Sequence, residues 1–256
     1  MRHLKIVKWF FVPVFFLGII AAAVVNFYNA DYAKNALDFF RARFLGGQSV
    51  EEAVAKYEPR LLSNTKESDF IARCGFPKEV LFFADKSKRI LSVYGRAGGK
   101  EKFEHLKDYP FTGFSGKLGP KLKSGDRQIP EGIYGIEYLN PNSTFHLSLK
   151  VSYPGDFDVK KALADGRKPE ELGGDIMIHG RSGTVGCIPI GDDAVEEVFI
   201  IAAKAGIHNI KVIISPCNLL SCERNFAKDV GVPWYGELIE NIRTEMLKYK
   251  ALGVVF

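Results

Sequence analysis

Between Lys78 and Ser215 the chain is cut into short apolar or β-branched runs by turn signals, and no crossover helices alternate with those runs. Runs of this length at hairpin spacing read as strands. Glu79–Ala84 and Arg89–Tyr94 flank Asp85-Lys86-Ser87-Lys88 and predict one hairpin. Ile133–Leu139 and Ser143–Val151 flank Asn140-Pro141-Asn142 and predict a second. Asp175–His179 and Ile210–Ser215 read as two more strands. Between these two, Asp192 or Asp193 caps a predicted helix with Val195, Val198, Phe199 and Ala202 on its apolar face and Gly206 as its stop. The pattern disfavours a doubly wound parallel sheet. The expected fold class is mainly β and sandwich-like, with one or more helices.

Appendages are expected on both sides of this body. Residues 1–30 hold Arg2, Lys5 and Lys8, no acid, and an apolar run of 17 residues from Trp9 to Val25. That order reads as a membrane anchor with its N-terminus in the cytoplasm, Trp9 and Tyr28 sitting at the two interfaces. A cleaved signal peptide, cut near Ala21-Ala22-Ala23, stays open beside it. Either reading exports the rest of the chain, to the periplasmic face of a membrane or to the periplasm. Residues 31–78 read as a helical spacer broken at Gly46-Gly47, with Ser49 and Glu52 as a capping box and Pro59 as the end of the second helix. The tail, 216–256, contains a predicted helix over Tyr235–Tyr249 that buries Leu238, Ile239, Ile242, Met246 and Tyr249.

Charge and motifs exclude several function classes. The formal net charge is +5 over 256 residues, and Arg2, Lys5 and Lys8 account for more than half of it, which is no signature of a nucleic-acid partner. No G-x-G-x-x-G follows a strand, and no G-x-x-x-x-G-K-[ST], H-E-x-x-H or G-x-S-x-G occurs. No cysteine or histidine set has zinc spacing. The sequence therefore calls for no metal and no cofactor.

The chemistry concentrates in Asp175-Ile-Met-Ile-His179-Gly180-Arg181-Ser182-Gly183-Thr184-Val185-Gly186-Cys187-Ile188-Pro189-Ile190. An apolar strand ends in His-Gly, a polar glycine-rich loop follows, and Gly-Cys closes it. A cysteine nucleophile acts as the thiolate, and a free thiol is mostly protonated at neutral pH. A nearby imidazole removes that proton when a third group orients the ring. On this reading Cys187 is the nucleophile and His179 the base. Gly186 lets the backbone approach a carbonyl, and the amides of Gly186 and Cys187 are candidates to hold an oxyanion. Arg181 and Ser182 are candidates to bind a substrate carboxylate or peptide group. Residue types alone leave a buried structural cysteine and a structural histidine as open alternatives.

These residues resemble the L,D-transpeptidase (YkuD-type) catalytic domain over roughly 79–215. The resemblance rests on the Glu79–Tyr94 hairpin, on Gly125-Asp126-Arg127-Gln128-Ile129-Pro130-Glu131-Gly132-Ile133-Tyr134, and on His179-Gly180 followed by Gly186-Cys187. It implies a β-rich domain in which Cys187 attacks a peptide carbonyl of a peptidoglycan stem. His179 would serve as base and then acid, with its ring oriented by the Gly180 carbonyl. His146, in Thr144-Phe145-His146-Leu147-Ser148-Leu149, would line the cleft, and Thr184 matches the hydroxyl residue before the cysteine. Val185 and Pro189 depart from the family pattern, and the gap of eight positions from His179 to Cys187 is short. Those departures are similar to a YafK-like subgroup, associated with hydrolysing the link between peptidoglycan and its lipoprotein. Transfer to an amine, hydrolysis by water, and a non-catalytic membrane-anchored wall-binding module are thus the competing expectations. Cys217 and Cys222 are candidates for a short disulfide in an exported domain, which leaves Cys74 unpaired.

Overall fold

A computed structural model describes residues 47–63, 65–99, 101–223 and 230–256. The expected anchor, and the spacer up to residue 46, lie outside the described residues. Among the described residues no helix is long and apolar enough to cross a membrane.

The first helix, α1, spans Val50–Ser63. Its capping box forms as expected: the Glu52 amide donates to Ser49 Oγ at 3.1 Å, and the Ser49 amide to Glu52 Oε2 at 2.8 Å. Pro59 does not end it. Proline forfeits one N–H and crowds the preceding turn, but Ala53 and Leu61, fully buried on either side of Pro59, hold the helix onto the core through Ser63. Helix α2 (Thr65–Cys74) follows.

Two mixed sheets carry the rest. Strands β1 (Glu79–Asp85), β2 (Ile90–Arg96), β3 (Glu104–Pro110), β4 (Gly132–Tyr134) and β9 (Ile210–Ser215) form the first, in the order β3-β2-β1-β9-β4. Strands β5 (Ile136–Ser143), β6 (His146–Val151), β7 (Met177–His179) and β8 (Ile188–Pro189) form the second, in that order. The single strand expected over Ile133–Leu139 is two strands in different sheets. Gly135 marks the break: its amide donates to Ser152 Oγ at 2.8 Å, and its carbonyl accepts the Ser152 amide at 3.1 Å. The Asn140-Pro141-Asn142 turn signal falls inside β5, at a register shift between Asn140 and Ser143, where a proline without an N–H is tolerated. The turn itself moves to Ser143–His146.

Helices add more than the sequence pattern suggested, so the body is a mixed α and β domain rather than a mainly β one. Helix α3 (Asp156–Ala164) was not expected. Helix α4 (Asp192–Ala205) has the expected bounds and stops at Gly206, where φ is +82°. Its N-cap is Gly191, and the side chain of Asp192 does not cap it. Helix α5 (Tyr235–Ala251) buries Leu238, Ile239, Ile242 and Met246 as the pattern predicted.

Alternation along the strands sorts the layers. Phe82, Ala84, Leu91, Val93, Val212 and Ile214 of the first sheet share one apolar cluster with Leu147, Leu149, Val151, Ile178 and Ile188 of the second, and α4 packs into it. Leu81, Phe83 and Ile213, on the opposite face of the first sheet, cluster with α5. The residues of the second sheet that alternate with its core-facing ones (Ser148, Lys150, Met177 and His179) therefore lie on its other face.

Candidate active site

His179 ends β7 and Cys187 immediately precedes β8. The two strands pair in parallel, Ile178 with Ile188 and His179 with Pro189. Parallel strands usually need a connection of a dozen residues or more, but these are only three and two residues long, and Gly180–Cys187 suffices. Continuing the register places Cys187 level with Met177, two positions from His179 and on its face. One strand across and two residues along put the α-carbons about 8 Å apart. The register of β6 against β7 adds Ser148 beside His179 and Lys150 beside Met177. The face thus gathers an imidazole, a thiol and an ammonium group.

Hydrogen bonds fix the imidazole. His179 Nδ1 lies 2.5 Å from the Gly180 carbonyl. A carbonyl only accepts, so Nδ1 carries the proton and Nε2 keeps its lone pair. Gly180 must be glycine: a Cβ there would lie 2.5 Å from Asp192 Oδ1 and 2.7 Å from the Phe145 carbonyl. His179 is 1% exposed. Burial lowers its pKa below the usual imidazole value, and the Gly180 hydrogen bond offsets part of that. Burial also raises Cys187 above the usual thiol value, and a hydrogen bond from the Met177 amide opposes the rise. The resting pair is therefore a neutral imidazole and a neutral thiol. The thiol donates to the Asp175 carbonyl at 3.3 Å, and the Asp175 carboxylate pairs with Lys150 Nζ at 2.7 Å.

The loop around Cys187 is closed by hydroxyl groups. Thr184 Oγ1 accepts the Cys187 amide at 2.9 Å and donates to the Cys187 carbonyl at 2.7 Å. The Gly186 amide donates to Ser115 Oγ at 2.7 Å. Both amides considered as oxyanion donors are thus engaged by side chains, and Thr184 is spent on the loop rather than offered to a ligand. Gly186 has φ +98°, and a Cβ there would sit 3.0 Å from the Gln128 carbonyl, so glycine is required.

The other candidates divide. Ser182 is exposed and Arg181 half-buried beside the thiol loop. The Arg181 amide donates to Asp192 Oδ1 at 2.8 Å and its carbonyl accepts from Thr112 Oγ1, which fixes the backbone as the chain leaves β7. The His146 side chain is engaged by α4 and α1. Its Nε2 is 2.7 Å from Glu196 Oε1 on α4, and its ring stands edge-on to Tyr57 of α1 at 5.5 Å. Glu196 also accepts from Arg60 at 3.0 Å. The imidazole is held there because α1 brings an aromatic face and α4 a carboxylate to the same place. Ser115 and Asp192 carry no sequence signal for their roles, since both act through long-range contacts. Lys150 had one: it alternates with Leu147, Leu149 and Val151 as a lone charge on a buried strand. Away from the site, Cys74, Cys217 and Cys222 are all free thiols. Burial and a hydrogen bond with Cys222 raise the pKa of Cys217.

No family model matches the chain. A protein of Escherichia coli K12 named "Putative L,D-transpeptidase YafK" is 30% identical over 181 residues, covering 68% of this chain. The chain spans 64% of that relative's length. Among solved structures, the helical cell shape determining protein Pgp2 of Campylobacter jejuni aligns with 59% of this chain and 56% of its own, at 20% identity and a TM-score of 0.43. L,D-transpeptidase 1 of Mycobacterium tuberculosis aligns with 54% and 62%, at 13% identity and a TM-score of 0.32. By sequence the chain is a homologue of YafK and takes its place among the L,D-transpeptidase-like proteins.

Proposed function

We propose that this chain carries out cysteine-dependent acyl transfer on peptidoglycan stem peptides in the cell envelope, through a thioester on Cys187. The observation that carries the reading is the shared sheet face of Cys187 and His179, with His179 Nδ1 held by the Gly180 carbonyl and Nε2 left basic. The homology to YafK supports the substrate class.

The steps follow from that arrangement. Cys187 Sγ attacks a stem-peptide carbonyl while His179 Nε2 takes the thiol proton, forming the S–C bond. The tetrahedral intermediate collapses, the C–N bond breaks, and imidazolium returns the proton to the departing amine. An acceptor then attacks the thioester, His179 takes its proton, and the thiol is regenerated. For the Gly186 or Cys187 amide to hold the oxyanion, its hydroxyl partner must turn aside. An amine acceptor gives a crosslink and water gives hydrolysis, including release of a lipoprotein attached to the stem. Residues 79–215 would supply this chemistry, 1–30 the anchor or signal peptide, 31–78 the spacer and 216–256 a helical tail.

The test is incubation of the full chain with purified muropeptides, followed by mass spectrometry. The expected result is a covalent acyl adduct on Cys187 and turnover that Cys187→Ala abolishes. Crosslinked products identify an amine acceptor, and released peptides without crosslinks identify water. Turnover retained by Cys187→Ala rules the reading out, and no turnover by wild type points to a non-catalytic wall-binding module.

A further inference from the structure

A phenylalanine lies over the proposed base. The rings of Phe145 and His179 have centroids 4.5 Å apart with planes inclined by 41°. Phe145 is 40% exposed, so burial alone does not hold it there. The backbone does. The Phe145 amide donates to Ser143 Oγ at 3.1 Å, and the Phe145 carbonyl lies against Gly180. The next residue, His146, takes φ +77°, a left-handed conformation that a side chain adopts only when its surroundings enforce it. The Glu196 contact and the Tyr57 ring supply that enforcement.

We propose that Phe145 is a positioning residue that shields one face of the His179 imidazole from water, and that His146, anchored on Glu196, holds Phe145 in place. The inference rests on the reading of His179 as the base. Shielding matters because a base that stays neutral at working pH is always ready to accept the thiol proton. The flanking strand residues, Ser148 on β6 and Pro189 on β8, do not titrate. The titratable groups on the elements around the ring are His146, which pairs with Glu196; Lys150, which pairs with Asp175; Cys187; Asp192, which accepts the Arg181 amide; Glu196, which also pairs with Arg60; Asp193, which pairs with Arg60 too; Glu197, which pairs with Lys107; Lys204, which pairs with Glu58; Arg181 itself; and Lys121, which pairs with Asp126 on the adjoining segment. None of them contributes to the lowering of His179, for which burial is the leading cause. Water access is therefore the variable that Phe145 controls.

The test is a pH titration of the full chain labelled at histidine Cε1, followed by nuclear magnetic resonance. The signal missing from His179→Gln assigns the ring. Phe145→Ala is expected to move the His179 midpoint up by roughly 0.5–1 pH unit, toward the free imidazole value. His146→Ala should give part of the same shift, and Phe145→Tyr should restore the wild-type midpoint. In turnover of muropeptides, the acid limb of kcat/KM should move with the midpoint while KM changes little. An unmoved midpoint in Phe145→Ala, with wild-type circular dichroism, overturns the proposal. A midpoint that moves while the rate profile stays put supports the shield and counts against His179 as the base.

Discussion

Thr184 has one hydroxyl and uses both its donor and its acceptor capacity on the backbone of Cys187. Its loss leaves a half-buried amide and a carbonyl unpaired and frees the Cys187 backbone to drift. Thr184→Val is expected to cost about 1–2 kcal/mol in urea denaturation. It should also lower kcat/KM at least about tenfold through misplacement of the thiol, with Thr184→Ser retaining most of both. Wild-type turnover in Thr184→Val would refute the clasp. At this scale the sequence announced the imidazole and the thiol and hid their supports. That Cys187 and His179 come together on one sheet face was legible because a histidine and a cysteine end the two halves of one short glycine-rich segment. The partners of His146, Thr184 and Asp192 were not legible because they are a distant carboxylate in the first case and backbone groups in the other two. Asp192 is an example: helix-start chemistry suggested a cap, and the fold turned its carboxylate to the Arg181 amide instead.

Among the elements, β9 and α4 matched their predicted bounds because apolar pattern and stop signals agreed. Strand β3 was missed because Glu104–Pro110 is a polar edge strand with few buried positions, and edge strands do not need a continuous apolar run. Helix α3 was missed because its apolar stripe is thin: Asp158 and Ala162 are its buried residues. Asp158 carries a consequence for pH. Its Oδ2 accepts the Gly155 amide at 2.9 Å, and the Tyr134 hydroxyl donates to its Oδ1 at 3.4 Å. Burial still raises its pKa from 3.8 to about 6. The folded chain then holds this proton more tightly than the unfolded one. The contribution to stability is full below about pH 3.8 and lost as pH rises through about 6. Asp158→Asn cannot titrate, so its stability relative to wild type should improve between pH 4 and pH 7.5, by at most about 3 kcal/mol. Thermal denaturation at the two pH values measures this, and a constant difference would refute it.

Across the whole molecule, one buried ion pair ties distant parts together. Lys86 sits in the β1–β2 turn, and both it and Glu131 are fully buried. Lys86 Nζ donates to Glu131 Oε1 at 2.7 Å, to the Ile129 carbonyl at 2.8 Å and to the Gly119 carbonyl at 2.9 Å. Glu131 also accepts the Tyr235 hydroxyl from α5 and the Gly119 amide. The hairpin, the 119–131 segment and the C-terminal helix thus meet at one carboxylate. Lys86→Met leaves that carboxylate buried without its cation, and a loss of about 3–5 kcal/mol in urea denaturation is expected. Lys86→Met combined with Glu131→Leu should recover part of it, because the remaining polar groups are cheaper to bury than a lone charge. Equal losses in the single and double variants would show that the pairing itself is not the tie. None of this was legible from a lysine between an aspartate and a serine, since a turn lysine is normally solvated.

The parallel step from β7 to β8 has one more consequence. Side chains on adjacent strands alternate faces, so sliding β8 by a single residue would carry Cys187 to the core side and leave His179 behind. The distance between thiol and imidazole is therefore written in the strand pairing and not in the conformation of the loop. Substitutions at the exposed Ser182 and Val185 can remodel what the loop presents while Cys187 and His179 keep their spacing. The spacing of the two side chains and the surface that the loop presents are in this way set by separate parts of the chain, the first by the strands and the second by the loop between them.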